Sequence, residues 1–169
     1  MDDSPEGERV HLATEVFADI YIGNYRSASS SRFLAQRGIG GIVNCTANIP
    51  NHFSCEQDLQ YLRVPVHDNI AQRDVNKLLG YFPVACEFIH KVRVLEGKPV
   101  LIHCQAGKQR SAAVVAAFLI KYHGYRPHDA VQFLLRKKPN VFHHGQHVNF
   151  AAALNSWYHL QLRVTDTRT

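Results

Sequence analysis

The sequence predicts one domain of the α/β or α+β class, in which helices pack against a sheet. The 169 residues are 46% hydrophobic and 20% charged, which is ordinary for a single globular domain. Short apolar segments typical of strands lie in the first two thirds of the chain, and segments with helical spacing lie between and after them. Because each layer has to bury an apolar face, this order indicates helices layered on a sheet.

The first half of the chain contains three predicted strands, at residues 16–22, 42–45 and 61–66. A turn at Gly23 ends the first strand. Pro65 indicates either that the third strand ends there or that this strand lies at an edge of the sheet. The serines at 29–31 predict the start of a short helix through Gln36, which Gly38 closes.

The second half is predicted to be mainly helical around one buried strand. Asp74 is expected to be the N-cap of a helix that extends to Val92, with a kink or a division into two helices at Pro83. Residues 100–102 form a continuous apolar run typical of a central buried strand. Further helices are predicted at residues 111–123, 126–136 and 147–162. We expect residues 1–12 to be a flexible lead-in, 13–163 the single domain and 164–169 a tail.

The charge pattern limits the expected partners. The net charge of +5 favours an anionic partner, but the basic residues are scattered, so we expect no nucleic-acid binding. The longest apolar run, residues 112–120, is too short to cross a bilayer, and we expect no membrane insertion. The chain shows no secretory signal and no disulfide framework, which predicts a cytoplasmic protein and leaves the nucleus open.

Residues 100–113, VLIHCQAGKQRSAA, indicate a phosphate-binding loop. A buried strand leads into a short loop and then into an apolar helix, so that backbone N–H groups and the helix N-terminus can surround a phosphate. Gly107 allows the backbone to approach the anion, and Arg110 offers a planar pair of donors for two phosphate oxygens. Cys104 lies under the same donors, which favour its thiolate, and a thiolate beneath a phosphate is a nucleophile for phosphoryl transfer.

The spacing of cysteine and arginine is specific to this loop. Arginine stands six positions after Cys104, whereas another residue stands six positions after each of the other three cysteines, Cys45, Cys55 and Cys86. Cys86 falls on the apolar face of the predicted helix, which is typical of a structural cysteine.

Residues 103–111 fit the signature HCxxGxxRS, and the chain resembles the dual-specificity branch of the cysteine-based protein phosphatases, near the catalytic domains of MAP-kinase phosphatases. Four further segments match that branch in order: 17–24 (FADIYIGN), 41–46 (GIVNCT), 64–69 (VPVHDN) and 82–89 (FPVACEFI). The resemblance spans residues 15–160. It implies an α/β fold with a central, mostly parallel mixed sheet of about five strands flanked by helices. We expect no docking domain before the catalytic domain.

The resemblance also implies roles for the residues of the loop. Cys104 would be the nucleophile, Arg110 would bind the phosphate, and the hydroxyl of Ser111 would ease the departure of the thiolate. His103 would hold the loop by hydrogen bonds. The backbone N–H groups expected to bind phosphate belong to Gln105, Ala106, Gly107, Lys108 and Gln109.

A second loop is expected to supply the proton for the leaving group. Asp68 follows a predicted strand and matches the general acid of the resembled family, with Asn69 as a supporting residue. Asp74 is the alternative acid, although its position suits helix capping better.

Two residues depart from the resembled pattern. Gln109 stands where a small residue, often serine, is usual, and Lys108 stands where an apolar residue is usual. In having a lysine at this position of the loop, the chain resembles the phosphoinositide phosphatases. The leading hypothesis is a dual-specificity protein phosphatase that acts on phosphorylated protein, with a kinase as one candidate substrate. A phosphoinositide phosphatase and a non-catalytic phosphate-binding module are the alternatives, and the presence of Cys104, Arg110 and Asp68 argues against the second.

No metal or cofactor is expected. Residues 143–147, HHGQH, lack clean metal-ligand spacing and are predicted to form a polar loop or a helix start. An exposed thiolate is readily oxidised, so reversible oxidation is expected. The sequence does not show whether Cys45 or Cys55 lies near enough to Cys104 to form a disulfide.

Overall fold

A five-stranded sheet forms the middle layer of the computed structural model, which describes residues 13–166. The strands are β1 (Ala13–Phe17), β2 (Ile20–Gly23), β3 (Gly41–Asn44), β4 (Gln60–Arg63) and β5 (Val100–His103). Their order across the sheet is β1-β2-β5-β3-β4, with β1 antiparallel to β2 and the other pairs parallel. The predicted mixed, mostly parallel sheet is confirmed. The predicted lead-in, residues 1–12, lies outside the described residues, as do residues 167–169 of the predicted tail.

Strand β5 occupies the centre of the sheet and leads into the predicted phosphate loop. Its four residues are all buried, because strands lie on both sides and helices cover both faces. Strands β2 and β3 run parallel to β5, so the residues that follow all three strands meet at one edge of the sheet. In α/β folds this carboxyl edge is where ligands bind.

Helices cover the two faces unequally. Helices α1 (Tyr25–Ala28) and α2 (Ser31–Arg37) lie on one face, where a small apolar cluster includes Leu101 of β5. The other face carries the larger core, which includes Val100 and Ile102 of β5. That core is formed by α3 (Gln72–His90), α4 (Arg110–His123), α5 (Pro127–Lys137) and α6 (Ala151–Asp166). Successive residues of β5 therefore serve opposite layers, as strand geometry requires.

The first predicted strand, residues 16–22, is wrong as a single element. The chain reverses between β1 and β2 in a tight turn, where Asp19 has φ +61° and its N–H donates to Oε1 of Glu15 at 3.0 Å. Aspartate adopts the left-handed conformation more readily than most residues. Apolar residues on both sides of the turn conceal it in the sequence.

The short helix α2 confirms the predicted signals. The hydroxyl of Ser30 accepts the N–H of Phe33 at 3.2 Å, and Gly38 ends the helix in the left-handed conformation. Helix α1, of four residues, was not predicted.

Helix α3 begins and continues differently from the prediction. Its N-cap is Ala71, so Asp74 lies inside the first turn and is not the cap. The helix runs without a break through Pro83 to His90 and then widens into one π-helical turn at Lys91–Leu95. Burial of its apolar face against the core, including Phe82 and Ile89, outweighs the missing N–H of proline, which costs about 3 kcal/mol in a helix interior.

The last helix differs from the prediction at both ends. Helix α6 begins at Ala151 and continues to Asp166, past the predicted end at residue 162. Within residues 13–166, no helix is long and apolar enough to cross a membrane.

Candidate active site

The loop between β5 and α4, residues 104–109, is the centre of the candidate site. Cys104 opens the loop and is 1% exposed. Its Sγ lies 3.3 Å from Oγ of Ser111, in the first turn of α4. The fold therefore holds a thiol and a hydroxyl together at the N-terminus of a 14-residue helix, where unpaired N–H groups favour an anion.

Arg110 joins this loop to the loop that carries Asp68. Its side chain is largely buried, and Nη1 donates to the carbonyl oxygen of Val66 at 3.0 Å. Its Nε is buried and has no hydrogen-bond partner among residues 13–166. A buried guanidinium donor without a partner favours an anionic ligand, because leaving it unpaired is costly.

Gly107 shapes the loop where it passes β2. It has φ +68°, and a β-carbon at this position would lie 2.6 Å from the carbonyl oxygen of Gly23. The contact is with backbone, which cannot rotate away. Glycine is therefore required both by the conformation and by the close approach.

We expect Gly107→Ala to destabilise the protein and to weaken phosphate binding. The left-handed conformation alone costs a residue with a β-carbon about 1–3 kcal/mol in free energy of unfolding, and displacement of Gly23 adds to this. Denaturant unfolding measures the loss of stability, and inhibition by inorganic phosphate measures the loss of binding.

Gly97→Ala is the matched control for this substitution. Gly97 has φ +64°, but apart from its chain neighbours no heavy atom of the described residues lies within 4 Å of the position of its β-carbon. This variant should lose only the part of the free energy of unfolding that comes from the strained conformation, and it should still bind phosphate. Equal losses of stability in the two variants would contradict the contact between the loop and β2.

Helix α1 forms a wall beside the loop. The N–H of Tyr25 donates to the carbonyl oxygen of Gln105 at 3.3 Å. Oδ1 of Asn24 caps α1 by accepting the N–H groups of Arg26 and Ser27 at 3.0 and 3.1 Å. Asn24 is the one residue between β2 and α1, so this wall is short.

Asp68 lies exposed in the loop that follows β4. Its Oδ1 accepts a hydrogen bond from Nδ2 of Asn149 at 2.9 Å. The next residue, Asn69, accepts the N–H of Ala71 through Oδ1 at 2.9 Å, which orders the chain just before α3.

Asp74, the alternative acid, is in a different setting. It is 2% exposed, and its Oδ1 accepts the N–H of His67 at 3.4 Å. Burial raises the pKa of Asp74, but hydrogen bonds from Asn69, His67 and Arg73 outweigh that effect and lower the pKa overall. Its carboxylate is therefore ionised, and it holds the loop around Asp68.

Two buried residues flank Cys104. Burial lowers the pKa of His103 to about 4, against the opposing effect of a hydrogen bond with the Cys104 backbone, so the imidazole is neutral at physiological pH. Cys45 is bonded to the end of β5, since its N–H donates to the carbonyl oxygen of His103 at 2.8 Å. Burial, and then the charge of Cys104, raise the pKa of Cys45 well above its ordinary value. Of the two cysteines considered in the sequence, Cys45 is thus beside Cys104, while Cys55 is exposed.

A second lysine accompanies Lys108 at the loop. The carbonyl oxygen of Lys108 accepts the N–H of Phe142 at 2.9 Å, which joins the loop to the turn that follows α5. Burial lowers the pKa of Lys138, and the positive charge of Lys108 lowers it further, while the charge of Cys104 opposes both. In the described part of the chain, no carboxylate lies within salt-bridge distance of either lysine.

The histidine-rich segment forms a turn. In the Val141–Gly145 segment, Phe142, His143 and His144 all have positive φ, and the two histidine side chains are exposed. No group of three or more histidine, cysteine, aspartate or glutamate residues within residues 13–166 could hold a metal ion.

The sequence did not single out Asn149, and it assigned only a backbone role to Gln109. Gln109 is fully buried, and its Nε2 donates to the carbonyl oxygen of His147 at 2.7 Å. Asn149 lies 81 positions from its partner Asp68, so no local sequence pattern relates the two.

A central parallel strand, then a loop that begins with a cysteine, then an arginine at a helix N-terminus is the arrangement of the cysteine-based phosphatases. Comparison with known proteins agrees. Residues 20–159 match the family described as "Dual specificity phosphatase, catalytic domain". The chain therefore belongs to the dual specificity phosphatase catalytic domain family.

Individual relatives support the same assignment. The chain is 34% identical to human dual specificity protein phosphatase 9 over 81% of this chain and 34% of the relative. It is 33% identical to mouse dual specificity protein phosphatase 1 over 80% of this chain and 36% of the relative. It thus spans about a third of the length of these curated relatives. A mouse putative dual specificity phosphatase, solved in complex with zinc tungstate, is 26% identical with a TM-score of 0.76, covering 97% of this chain and 94% of that one.

Proposed function

We propose that this protein is an active dual-specificity protein phosphatase that works through a phosphocysteine intermediate. The observation that carries the proposal is the arrangement of one loop. Its thiol, Cys104, lies 3.3 Å from the Ser111 hydroxyl, and Arg110 has a buried donor that no described residue pairs with. This arrangement suits a phosphate bound above a sulfur nucleophile.

The first step transfers the phosphoryl group to sulfur. The Cys104 thiolate attacks phosphorus, the S–P bond forms, and the bond from phosphorus to the ester oxygen breaks. Backbone N–H groups of the loop and the Arg110 guanidinium hold the other phosphate oxygens as charge moves onto them. Asp68 donates its proton to the departing ester oxygen, so that the alcohol or phenol leaves neutral.

The second step returns the thiolate. Asp68, now ionised, accepts a proton from water, and the water oxygen attacks phosphorus while the S–P bond breaks. Inorganic phosphate leaves, and the Ser111 hydroxyl, 3.3 Å away, donates a hydrogen bond to the departing sulfur.

The short wall beside the loop favours more than one kind of phosphorylated residue. Phosphotyrosine holds phosphorus further from the peptide backbone than phosphoserine or phosphothreonine does, so a deep pocket selects tyrosine and a shallow one admits all three. Asn24 alone connects β2 to α1, which leaves no room there for a long recognition loop. We therefore propose phosphorylated protein as the substrate, with a kinase as one candidate.

A catalytic thiolate has to stay reduced, so we also propose a reducing compartment, the cytoplasm or the nucleus.

The proposal is tested by comparing three substrate classes in one assay. Phosphotyrosine peptides, phosphothreonine peptides and short-chain phosphoinositides are offered at matched concentrations, and phosphate release is measured. Hydrolysis of both peptide classes supports dual specificity. Turnover of phosphoinositides alone would assign the protein to the phosphoinositide phosphatases. Binding of phosphopeptide without release would identify a non-catalytic module.

We expect Lys108→Ala and Lys138→Ala to reduce the preference for doubly phosphorylated peptides over singly phosphorylated ones. One ammonium about 4 Å from a second phosphate contributes about 1 kcal/mol in water, or about a fivefold preference. The ratio of kcat/KM for the two peptides measures the effect. Lys137→Ala is the control, because Lys137 is adjacent in sequence, is exposed and packs over Phe133.

The magnitude of this effect separates two interpretations of Lys108. A change of about fivefold fits a lysine that only adjusts substrate preference. A hundredfold loss of inositide turnover in Lys108→Ala, together with negligible peptide turnover by the unsubstituted protein, would contradict the proposed function.

A further inference from the structure

Gln109 is unusual in the phosphate loop because its side chain is long, polar and fully buried. Its backbone forms the N-cap of α4, directly before Arg110, so the side chain is fixed to the loop that binds phosphate. A buried carboxamide needs partners for both its donor and its acceptor, and the partners show what the residue is attached to.

Both partners of Gln109 lie in the segment just before α6. Its Nε2 donates to the carbonyl oxygen of His147 at 2.7 Å, and its Oε1 accepts the N–H of Asn149 at 3.4 Å. The carboxamide thus contacts two backbone groups, two residues apart. This pair of bonds fixes residues 147–149 to the phosphate loop.

The same segment holds the proposed general acid. Nδ2 of Asn149 donates to Oδ1 of Asp68 at 2.9 Å. The loop of Asp68 has a second attachment, since Arg110 donates to the carbonyl oxygen of Val66. Asp68 is exposed and lies in a loop, so without such attachments its carboxyl group would sample many orientations.

We propose that Gln109 is a positioning residue for the acid step, acting through Asn149 on the carboxyl group of Asp68. The inference rests on the proposed phosphatase function. The chain of contacts begins in the loop that holds the phosphate and ends on the group that protonates its leaving oxygen. It therefore sets the distance between the two reacting partners.

The bond from Asn149 also selects the oxygen that carries the proton. An amide N–H that donates to Oδ1 makes that oxygen an acceptor, and Oδ2 remains to bear the proton and deliver it. Misplacement of a reacting group by about 1 Å lowers a rate up to about 100-fold. Loss of the Gln109 contacts should consequently impair protonation of the leaving group and spare phosphate binding.

The test uses the full chain with Gln109→Met, which keeps the buried volume and removes both hydrogen bonds. We expect kcat/KM for a phosphothreonine peptide, whose alkoxide leaving group needs a proton, to fall about 10- to 100-fold. For p-nitrophenyl phosphate, whose leaving group needs little protonation, the loss should be much smaller. The inhibition constant of inorganic phosphate should not change. In an Asp68→Asn background, Gln109→Met should add no further loss that depends on the leaving group.

Two variants complete the experiment. Asn149→Ala should show the same dependence on the leaving group, and it tests the inference even if the substitution at the buried Gln109 unfolds the protein. Gln146→Ala is the matched control, because that glutamine is nearby and exposed, and it should behave as the unsubstituted protein. Equal losses on both esters, or weaker phosphate inhibition as the main effect, would overturn the role in positioning. Failure of the unsubstituted protein to turn over either ester would instead overturn the proposed function.

Discussion

Cys104→Ser is expected to abolish turnover while the protein still binds phosphate. The hydroxyl that replaces the thiol is a far weaker nucleophile, and loss of a nucleophile lowers kcat by about 10⁴-fold or more. The backbone N–H groups of the loop and the Arg110 guanidinium remain in place, so affinity for the anion should persist. Single-turnover assays measure the rate, and competition with inorganic phosphate measures the binding.

Cys86→Ser is the matched control for this substitution. Cys86 is also fully buried, but it lies in α3, and burial raises the pKa of its thiol to about 12. Serine there should lower the free energy of unfolding, because it buries a polar group, and should leave turnover intact below the unfolding temperature. Substantial turnover in Cys104→Ser would remove the phosphocysteine intermediate from the mechanism.

Asp68→Asn is expected to lower the rate most where the leaving group most needs a proton. With a phosphopeptide the loss should be about 10²- to 10⁴-fold, the usual contribution of general acid catalysis. With p-nitrophenyl phosphate it should be much smaller. Rate profiles for both esters measure these effects.

Asp74→Asn distinguishes the two carboxylates. Asp74 is buried and accepts hydrogen bonds around the turn before α3, so its loss should lower stability and affect both esters alike. If Asp74→Asn shows the dependence on the leaving group and Asp68→Asn does not, the acid has been assigned to the wrong residue.

The sequence predicted the parts of the fold whose signals are local. Helix α2 begins after Ser30 and ends at Gly38 as expected, because a helix cap depends only on one residue and the nearest backbone groups. Asp19 and Pro83 were misjudged for the opposite reason. The turn at Asp19 is concealed by apolar residues on both sides, and the strong burial of α3 overrides the usual effect of proline.

In the candidate site, too, only the residues that are close together in sequence could be predicted. The segment from Cys104 to Ser111 is continuous in sequence, so the spacing of Cys104 and Arg110 and the family resemblance at Ser111 could predict the three groups, and the structure places the thiol 3.3 Å from the hydroxyl. Asn149 and Lys138 belong to segments that reach the site only through packing of the helices, and nothing near either residue in the sequence relates it to the loop. Neither contact could have been inferred before the helices were placed.

The central position of β5 has a consequence for how the candidate site is assembled. The strand pairs with β2, about 80 positions earlier in the chain, and with β3, about 60 positions earlier. Closing such long loops is entropically unfavourable until the contacts have formed, so parallel pairings of this kind come late and slowly in folding. We therefore expect the proposed activity only from the completed fold, because the loop that begins at Cys104 has no fixed place until β5 has paired with β2 and β3.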